Sequence, residues 1–442
     1  MTSRLPLLAA VALCFPFCQL SAENWPNWRG PNQNGSTDET NLPEKFSKTE
    51  NVKWKVELPG AGSSTPVIWE NHVFLTSANA DKNSVGLALD RETGKELWRK
   101  EFPGVGKDKR SNFAAPSAVT DGKTVTFFFG NGQIGVYDFD GKELWTGDIA
   151  ERIGGFAFGW TFSSSPVLHG DHLYLQILQR DEPVEGRGQE NAESFILALN
   201  VTTGEEVFRQ PRPSKALMES REAFTSPILA NVDGREELVI IGGDCITGHD
   251  LDDNCKELWR WGTWNPDREK WWRVVPSPVY GDGVFLACAP KKNPIFAVKA
   301  GLNGNLDDSS LAWVSEVSKE QPITSDVSTP LYYQGRFYVL SSDAKALVCL
   351  DPKTGKVIYS EQIAASSINR QKLEASPTAG DGKIYLLNQL GDAFVVAAGD
   401  EYKLLHHAEM GETLSNITRS SIAISQGNLF IRTDTDLYCI GE

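Results

Sequence analysis

Short apolar stretches that indicate β-strands recur along the whole chain at a nearly constant spacing. Each unit begins with a proline-containing strand signal, continues through a Gly-Asp or Asp-Gly turn, and ends in a strongly apolar strand. A period of roughly 40 to 50 residues with several short strands per unit is typical of β-propeller blades. The successive gaps between units are 50, 50, 61, 51, 52, 47 and 45 residues. The opening positions are Pro66, Pro116, Pro166, Pro227, Pro278, Pro330, Pro377 and, in the eighth unit, Ile422.

The second half of each unit contains a hairpin with a recognisable turn. Residues 87–98 read Leu-Ala-Leu-Asp-Arg-Glu-Thr-Gly-Lys-Glu-Leu-Trp, in which Asp90 can bond the turn backbone and Gly94 supplies a positive φ. Related copies lie at 136–145, 197–208, 249–259 and 348–359. Because the first half of each unit is also a hairpin, each unit is predicted to form one four-stranded sheet.

The two ends of the repeat region complement each other. The last unit, 421–440, supplies three strands and lacks an outer strand, whereas residues 51–58 form such a strand without a blade of their own. Joining the two completes an eighth sheet and leaves no exposed edge between the ends. The sequence therefore predicts an all-β, eight-bladed β-propeller of four-stranded antiparallel blades over residues 51–442. The N-terminal strand closes the last blade, and an extended segment, 23–50, precedes it.

Aromatic residues end several outer strands. Packing of each ring over the neighbouring blade is a sufficient explanation for this repeated position. We therefore assign these tryptophans to blade docking: Trp54, Trp98, Trp145 and Trp259.

The first 22 residues have the pattern of a secretory signal peptide. Arg4 precedes the apolar run 5–20, and the small residues Ser21 and Ala22 follow it. The alternative is a membrane anchor, but about 16 apolar residues interrupted by two prolines fall short of the roughly 20 that a span needs. We predict cleavage near Ala22, no membrane span afterwards, and a periplasmic or secreted protein.

The charge balance excludes several partner classes. With 43 basic and 58 acidic residues the net charge is −15, so the surface repels phosphate backbones, and no basic stripe is present. We expect no nucleic-acid partner, and we expect a monomer. Five cysteines follow the leader without C-x-x-C spacing, and Cys245 and Cys255 flank one predicted strand, whose ends are usually too far apart for a disulfide.

The A-x-D-x-x-T-G-K-E-x-W unit resembles the tryptophan-docking repeat of the pyrroloquinoline quinone (PQQ)-type propellers. That family includes quinoprotein alcohol dehydrogenases and the outer-membrane protein assembly factor BamB, and the resemblance covers about residues 51–440. Residues 24–35, Asn-Trp-Pro-Asn-Trp-Arg-Gly-Pro-Asn-Gln-Asn-Gly, are similar to the leader of exported BamB-like proteins of planctomycetes and related bacteria. The assembly-factor branch implies a non-catalytic binding or assembly scaffold with envelope proteins as partners.

The dehydrogenase branch implies PQQ with calcium as the cofactor. The resemblance would require an Asp base and Ca²⁺ ligands from Glu and Asn or Asp, often with a vicinal Cys-Cys pair, which this chain lacks. Calcium binds six to eight oxygens, and the acidic runs 250–253 and 307–308 fall at turns, where Asp bonds backbone donors. No G-x-S-x-G or H-E-x-x-H motif is present. We predict no catalytic residue, no metal ligand and no cofactor, and keep a PQQ-dependent dehydrogenase as an alternative.

In a propeller, the segments that lead into the first strand of each blade line one mouth of the central channel. Arginines and aromatic residues that converge there would suit an anionic or extended ligand, although loop–loop salt bridges are the alternative explanation. A carbohydrate-binding propeller that stacks sugars on Trp160 and Trp271-Trp272 is a further hypothesis. The candidate ligand-binding residues are Arg110, Asn112, Trp160, Arg221, Trp272, Arg273, Asp326, Glu374 and Arg419.

Overall fold

The computed structural model describes residues 23–81, 83–104, 111–262, 264–317, 322–341, 345–363, 372–411, 417–433 and 435–442. Within these ranges the strands form eight sheets, each built mainly of four antiparallel strands. The first strands of most successive sheets contact one another, and the first strand of the last sheet contacts that of the first sheet, which closes a ring. The prediction of an eight-bladed propeller is confirmed. The predicted signal peptide, 1–22, and Arg110 lie outside the described residues.

The ring starts with β1 (Val52–Glu57), which belongs to the last blade. The next four sheets follow in chain order, with the channel-lining strand first in each. They are β2 (Val67–Trp69), β3 (His72–Ala78), β4 (Ser84–Asp90), β5 (Glu96–Phe102); β6 (Val119–Thr120), β7 (Thr124–Phe128), β8 (Gln133–Asp138), β9 (Glu143–Asp148); β10 (Val167–His169), β11 (His172–Ile177), β12 (Phe195–Asn200), β13 (Glu206–Pro211); and β14 (Ile228–Val232), β15 (Arg235–Gly242), β16 (Cys245–Asp250), β17 (Lys256–Trp261).

Blades 5 to 8 repeat this order, and a short strand of blade 5 pairs in parallel with the outer edge of blade 4. Their strands are β18 (Val279–Gly281), β19 (Val284–Cys288), β20 (Ile295–Lys299), the edge strand β21 (Gly304–Asn305), β22 (Leu311–Val314); β23 (Leu331–Tyr333), β24 (Arg336–Ser341), β25 (Ala346–Leu350), β26 (Val357–Gln362); β27 (Thr378–Gly380), β28 (Lys383–Leu387), β29 (Asp392–Ala397), β30 (Leu404–Glu409); and β31 (Ala423–Ser425), β32 (Asn428–Arg432), β33 (Asp436–Ile440). The helices are α1 (Ile149–Ile153) and the 3₁₀ turns Met218–Arg221 and Asp308–Ser310.

Burial along the strands explains their composition. The second and third strands of a blade are covered on both faces by neighbouring blades, so β7 and β33 are buried at every position and consist mostly of apolar residues. The outer strand β5 alternates between half-buried and exposed residues instead, as expected for a strand with one solvated face. No helix among the described residues is long and apolar enough to cross a membrane.

Closure of the ring follows the prediction from the sequence. β1 pairs antiparallel with β33, with Val52 opposite Ile440 and Glu57 opposite Asp436. The last sheet therefore contains three strands from the C-terminal end and one from the N-terminal end.

The register of blade 2 differs from the prediction. Val67 opens β2 and pairs with Phe74, and the equivalent pair in blade 2 is Val119 with Thr126. Ala118 therefore occupies the place of the opening proline, 52 residues after Pro66, and Pro116 lies two residues earlier. The prediction took the nearest proline as the marker and was wrong by two residues at this blade.

Indole groups join neighbouring blades. The ring nitrogens of Trp54, Trp98 and Trp145 donate hydrogen bonds of 2.7 to 2.8 Å to backbone carbonyls of the next blade. Trp313 does the same to Pro352 at 2.7 Å, although its repeat copy is degraded in sequence. Trp259 differs, because its ring nitrogen donates to Glu237 of its own sheet at 2.7 Å while its ring lies 5.3 Å from that of Phe285 in the next blade.

Candidate functional site

The N-terminal segment, 23–50, crosses the end of the channel opposite the predicted ligand mouth. The backbone of Trp25 exchanges two hydrogen bonds with Ile68 of blade 1, and the carbonyl of Pro26 accepts from Thr120 of blade 2. Further along, Ser36 forms a bridge with Ala379 of blade 7. The segment therefore spans the ring from one side to the other.

Arg29 anchors this segment inside the channel. Its fully buried guanidinium donates to the backbone carbonyls of Pro377 (3.1 Å), Pro330 (3.0 Å) and Asn34 (2.8 Å). Burial lowers the pKa of Arg29 to about 9, because desolvation disfavours the charged form. The neighbouring indole of Trp28 lies 5.6 Å from the guanidinium carbon.

A ring of hydroxyl groups forms the waist of the channel. In each blade a Ser or Thr stands two residues before the first paired residue of the inner strand. Seven of these hydroxyl oxygens accept a hydrogen bond of 2.8 to 3.2 Å from the backbone N–H of the equivalent residue in the preceding blade. We call this set the hydroxyl ring: Thr65, Ser117, Ser165, Ser226, Ser277, Thr329, Ser376 and Ser421.

A cavity of about 280 Å³ opens on one side of this waist. Five members of the hydroxyl ring line it, together with Trp28, Trp160 and Phe224. Trp28 also lines a second cavity of about 200 Å³ on the other side, next to Arg29 and Trp69. Trp28, Ser165 and Ser226 line both spaces, so Trp28 lies between them and gives the pocket an aromatic floor.

The pocket is basic although the protein is acidic. Its lining contains four cationic side chains, Arg273, Lys291, Lys372 and Arg419. It contains two carboxylates, Asp326 and Glu374. An excess of two positive charges on its walls contrasts with the net charge of −15 for the chain. Such a cavity attracts anions, because low-dielectric walls focus the field.

The two arginines are already paired within the protein. Arg419 donates to Glu374 at 2.6 Å, and Arg273 lies 3.0 Å from Glu219. The same Glu219 oxygen accepts from the indole nitrogen of Trp160 at 3.2 Å.

The two lysines are different. Lys291 and Lys372 are exposed, and within the described ranges no carboxylate pairs with either ammonium group. The lysines are therefore the cations that remain available to a ligand.

The buried acid Glu222 lies two residues before Phe224, which lines the pocket. Glu222 accepts from the backbone N–H of Gly159 at 3.0 Å and pairs with Arg180. Burial raises the pKa of Glu222 to about 7 despite the nearby Arg180. This carboxyl group fixes the backbone next to Trp160.

The structure brings five of the predicted residues to the pocket, namely Trp160, Arg273, Asp326, Glu374 and Arg419. The other described candidates lie outside its lining. The side chain of Asn112 accepts from the N–H of Ala114 at 3.0 Å, and Arg221 pairs with Asp181 at 3.2 Å. Trp272 packs against the core between blades 4 and 5, whereas its neighbour Trp271 is 52% exposed.

Sequence reasoning missed Lys291, Lys372, Trp28 and the hydroxyl ring. Lys372 lies in a segment that leads into a first strand, so the rule used for the other candidates could have found it. The hydroxyl ring also had a signal, since Ser or Thr directly precedes most of the opening prolines. Trp28 had none, because its position depends on contacts with blades far away in sequence.

The residues of the pocket do not fit calcium with PQQ. Of the two lining carboxylates, Glu374 is bonded to Arg419 and Asp326 accepts from the backbone N–H of Lys291 at 3.2 Å. Calcium needs several converging oxygens. In the part of the chain that the structure describes, no three His, Cys, Asp or Glu side chains are grouped closely enough to hold a metal ion.

Comparison with known proteins identifies a matching family and several solved structures with a similar fold. The family model described as outer membrane protein assembly factor BamB matches residues 45–179, 81–293 and 193–441. Among solved structures, BamB from Moraxella catarrhalis has 13% identity and a TM-score of 0.58, covering 88% of this chain and 98% of that chain. No curated protein matches this sequence.

Two alcohol-oxidising dehydrogenases are similar in fold as well. A europium-containing methanol dehydrogenase has 12% identity and a TM-score of 0.67, with 93% of this chain and 90% of that chain covered. The quinohemoprotein alcohol dehydrogenase from Comamonas testosteroni has 12% identity and a TM-score of 0.63, with 95% and 81% covered. At such identities the likeness shows the fold alone.

Proposed function

Because the chain belongs to the family described as outer membrane protein assembly factor BamB, we propose that it is a non-catalytic binding scaffold of the cell envelope. In this proposal the basic pocket at the channel mouth holds an acidic segment of a partner protein. The observation that carries the proposal is a pair of exposed lysines, Lys291 and Lys372, whose ammonium groups have no carboxylate partner among the described residues and which line a cavity of an acidic protein.

The size of the pocket limits the ligand. A volume of about 280 Å³ lies just below the roughly 300 to 1,000 Å³ that ligand pockets usually have. A folded domain cannot enter such a space, whereas a few side chains of an extended segment can. The aromatic floor at Trp28 and the wall at Trp160 offer apolar contact to the stems of acidic side chains.

The leader predicted from residues 1–22 supports export to the envelope. The surface outside the pocket repels anionic partners through its net charge, so attraction is concentrated at the mouth. We therefore propose a periplasmic or secreted location and a partner that carries a local run of Asp or Glu.

Calorimetric titration of the mature chain with a hexaglutamate peptide tests the proposal. The double variant Lys291→Gln/Lys372→Gln should bind at least about tenfold more weakly, which corresponds to about 1.4 kcal/mol. A matched control is Lys353→Gln/Lys356→Gln, which removes the same charge from an exposed turn on the outer edge of blade 6. Added salt should weaken binding to the parent chain. Equal binding by both double variants, or no binding by the parent chain, would contradict the proposal.

The dehydrogenases among the similar folds make a quinone enzyme the second candidate. Titration with PQQ, with and without Ca²⁺, separates the two functions. Tight binding that needs Ca²⁺ would favour the enzyme. It would also mean that the lining carboxylates, Asp326 and Glu374, leave their present partners to bind the ion. Binding of PQQ that is independent of Ca²⁺ and lost with the two lysines would count as anion binding and would favour the scaffold.

A further inference from the structure

Glu39 is a carboxylate in an unusual position on the face opposite the pocket. It is 8% exposed, and its oxygens accept hydrogen bonds from three backbone nitrogens, those of Glu23 (2.7 Å), Gln426 (2.6 Å) and Gly427 (2.5 Å). No lysine or arginine of the described ranges pairs with it. A buried carboxylate is costly unless a cation or several hydrogen bonds compensate its charge. Glu39 therefore has the donors but lacks the cation.

Glu23, the first described residue, is also held through its carbonyl and carboxylate groups. Its carbonyl accepts from the hydroxyl of Ser425 at 2.6 Å. Its carboxylate accepts from the hydroxyl of Thr37 and from the N–H of Asp38, the latter at 3.1 Å. These contacts, all between described residues, hold the Glu23 nitrogen against Glu39.

The sequence places a processing signal at this same point. The apolar run 5–20 ends before Ser21-Ala22, and a small residue such as Ala22 directly before the cleaved bond is typical of a signal peptidase site. We propose that the Ala22–Glu23 bond is the one cleaved on export and that the new amino terminus at Glu23 binds Glu39. The free amine supplies the cation that the buried carboxylate lacks.

The chemistry is simple hydrolysis. Water adds across the Ala22–Glu23 amide, the carbon–nitrogen bond breaks, and Ala22 leaves as a carboxylate. The nitrogen of Glu23 becomes an amine and takes up the proton, since an α-amino group has a pKa of about 7.7 to 8.0. A neutral amide hydrogen bond to Glu39 thereby becomes an ion pair, which is the stronger interaction in a partly buried site.

This ion pair would fasten the N-terminal segment to the last blade. Glu39 accepts from the β31–β32 hairpin at Gln426 and Gly427 as well as from Glu23. Processing would therefore tighten the segment that carries Trp28 and Arg29 across the channel. The inference does not depend on the ligand of the pocket.

The terminus itself is the first test. The full chain is expressed with its own leader in a Gram-negative bacterium, and the exported product is measured by intact mass and N-terminal peptide mass. The expected product begins at Glu23. A product that begins at any other residue, or one that retains the leader, would overturn the proposal.

The second test measures the ion pair. The mature chain from Glu23 is compared with a chain that carries one additional alanine before Glu23, in which the Glu23 nitrogen is a neutral amide. In the parent background the extension should lower the unfolding midpoint by at least about 2 °C. In the Glu39→Gln background it should lower the midpoint by less than half as much.

Glu50→Gln, an exposed position of the same segment, is the matched control. In that background the extension should have its full effect. If the extension has the same effect with Glu39→Gln as in the parent chain, Glu39 does not bind the terminus and the inference is wrong.

Discussion

Replacing Ser165 by alanine tests whether the hydroxyl ring stabilises the propeller. The Ser165 hydroxyl accepts from the backbone N–H of Ser117 at 3.0 Å, and Ser117 is 1% exposed. After the substitution this N–H has no acceptor. A buried donor without a partner costs about 1 to 3 kcal/mol.

The adjacent residue provides a matched comparison. Ser164 is equally buried, at 2% exposed, but its hydroxyl has no hydrogen-bond partner among the described residues. Ser164→Ala removes the same oxygen atom and leaves no donor unsatisfied. We expect it to be neutral or slightly stabilising, because an unpaired buried hydroxyl is itself a cost.

Thermal unfolding followed by circular dichroism measures the difference. With 442 residues and about 2.1 cal/mol/K per residue, the unfolding entropy is about 0.9 kcal/mol/K, so 1 to 3 kcal/mol corresponds to about 1 to 3 °C. The unfolding midpoint of Ser165→Ala should be lower than that of Ser164→Ala by that amount. Ser165→Thr should restore the midpoint, since Thr65 and Thr329 occupy equivalent places in the ring. Equal midpoints for the two alanine variants would refute the reasoning.

Three further predictions concern glycine packing, a buried acid and the thiols. Gly204→Ala places a Cβ 2.4 Å from the Trp145 ring, whereas Gly283→Ala meets nothing within 4 Å at a similar positive φ. In urea unfolding, we expect Gly204→Ala to have a free energy of unfolding lower than that of Gly283→Ala by at least about 1 kcal/mol. Equal free energies would exclude a steric role for the indole. Burial raises the pKa of Asp244 from 3.8 to about 7, so its stabilisation is complete below pH 3.8 and is lost as the pH rises through about 7. The difference in thermal unfolding midpoint, Asp244→Asn minus the parent chain, should therefore be more positive at about pH 8 than at about pH 5. The same difference at both pH values would contradict this. Burial raises the pKa of four buried thiols to between about 11 and about 12: Cys255, Cys288, Cys349 and Cys439. Iodoacetamide should label these thiols at about pH 8 no faster than the protein unfolds, and rapid labelling of the native protein would disprove their burial.

Much of the fold can be predicted because each blade encodes its own turns. The Asp90 to Gly94 turn forms within one hairpin, and its copies mark the same place in other blades. The error at Pro116 has the same origin, since a proline marks a strand start only approximately. The pairing of β1 with β33 could be predicted because the last unit lacks an outer strand and residues 51–58 form an outer strand without a blade of their own.

The pocket was harder to predict because its chemistry depends on pairing. Arg273 and Arg419 attract notice in the sequence, yet the folded chain neutralises them with Glu219 and Glu374. No carboxylate of the described ranges pairs with the ammonium groups of Lys291 and Lys372. Such a distinction rests on distances between different blades, which a one-dimensional pattern does not contain.

Pairing of β1 with β33 makes synthesis of the last blade a condition for a closed ring. Synthesis proceeds from the N-terminus, so β1 leaves the ribosome before the other strands of the propeller, and β33 leaves it after them. Until residues 436–440 arrive, β1 and the growing end of the sheet array both present unpaired backbone groups. A chain that stops early keeps both edges open and remains a target for aggregation and proteolysis. The eighth blade thus closes the ring only after the strands of all the other blades have been made.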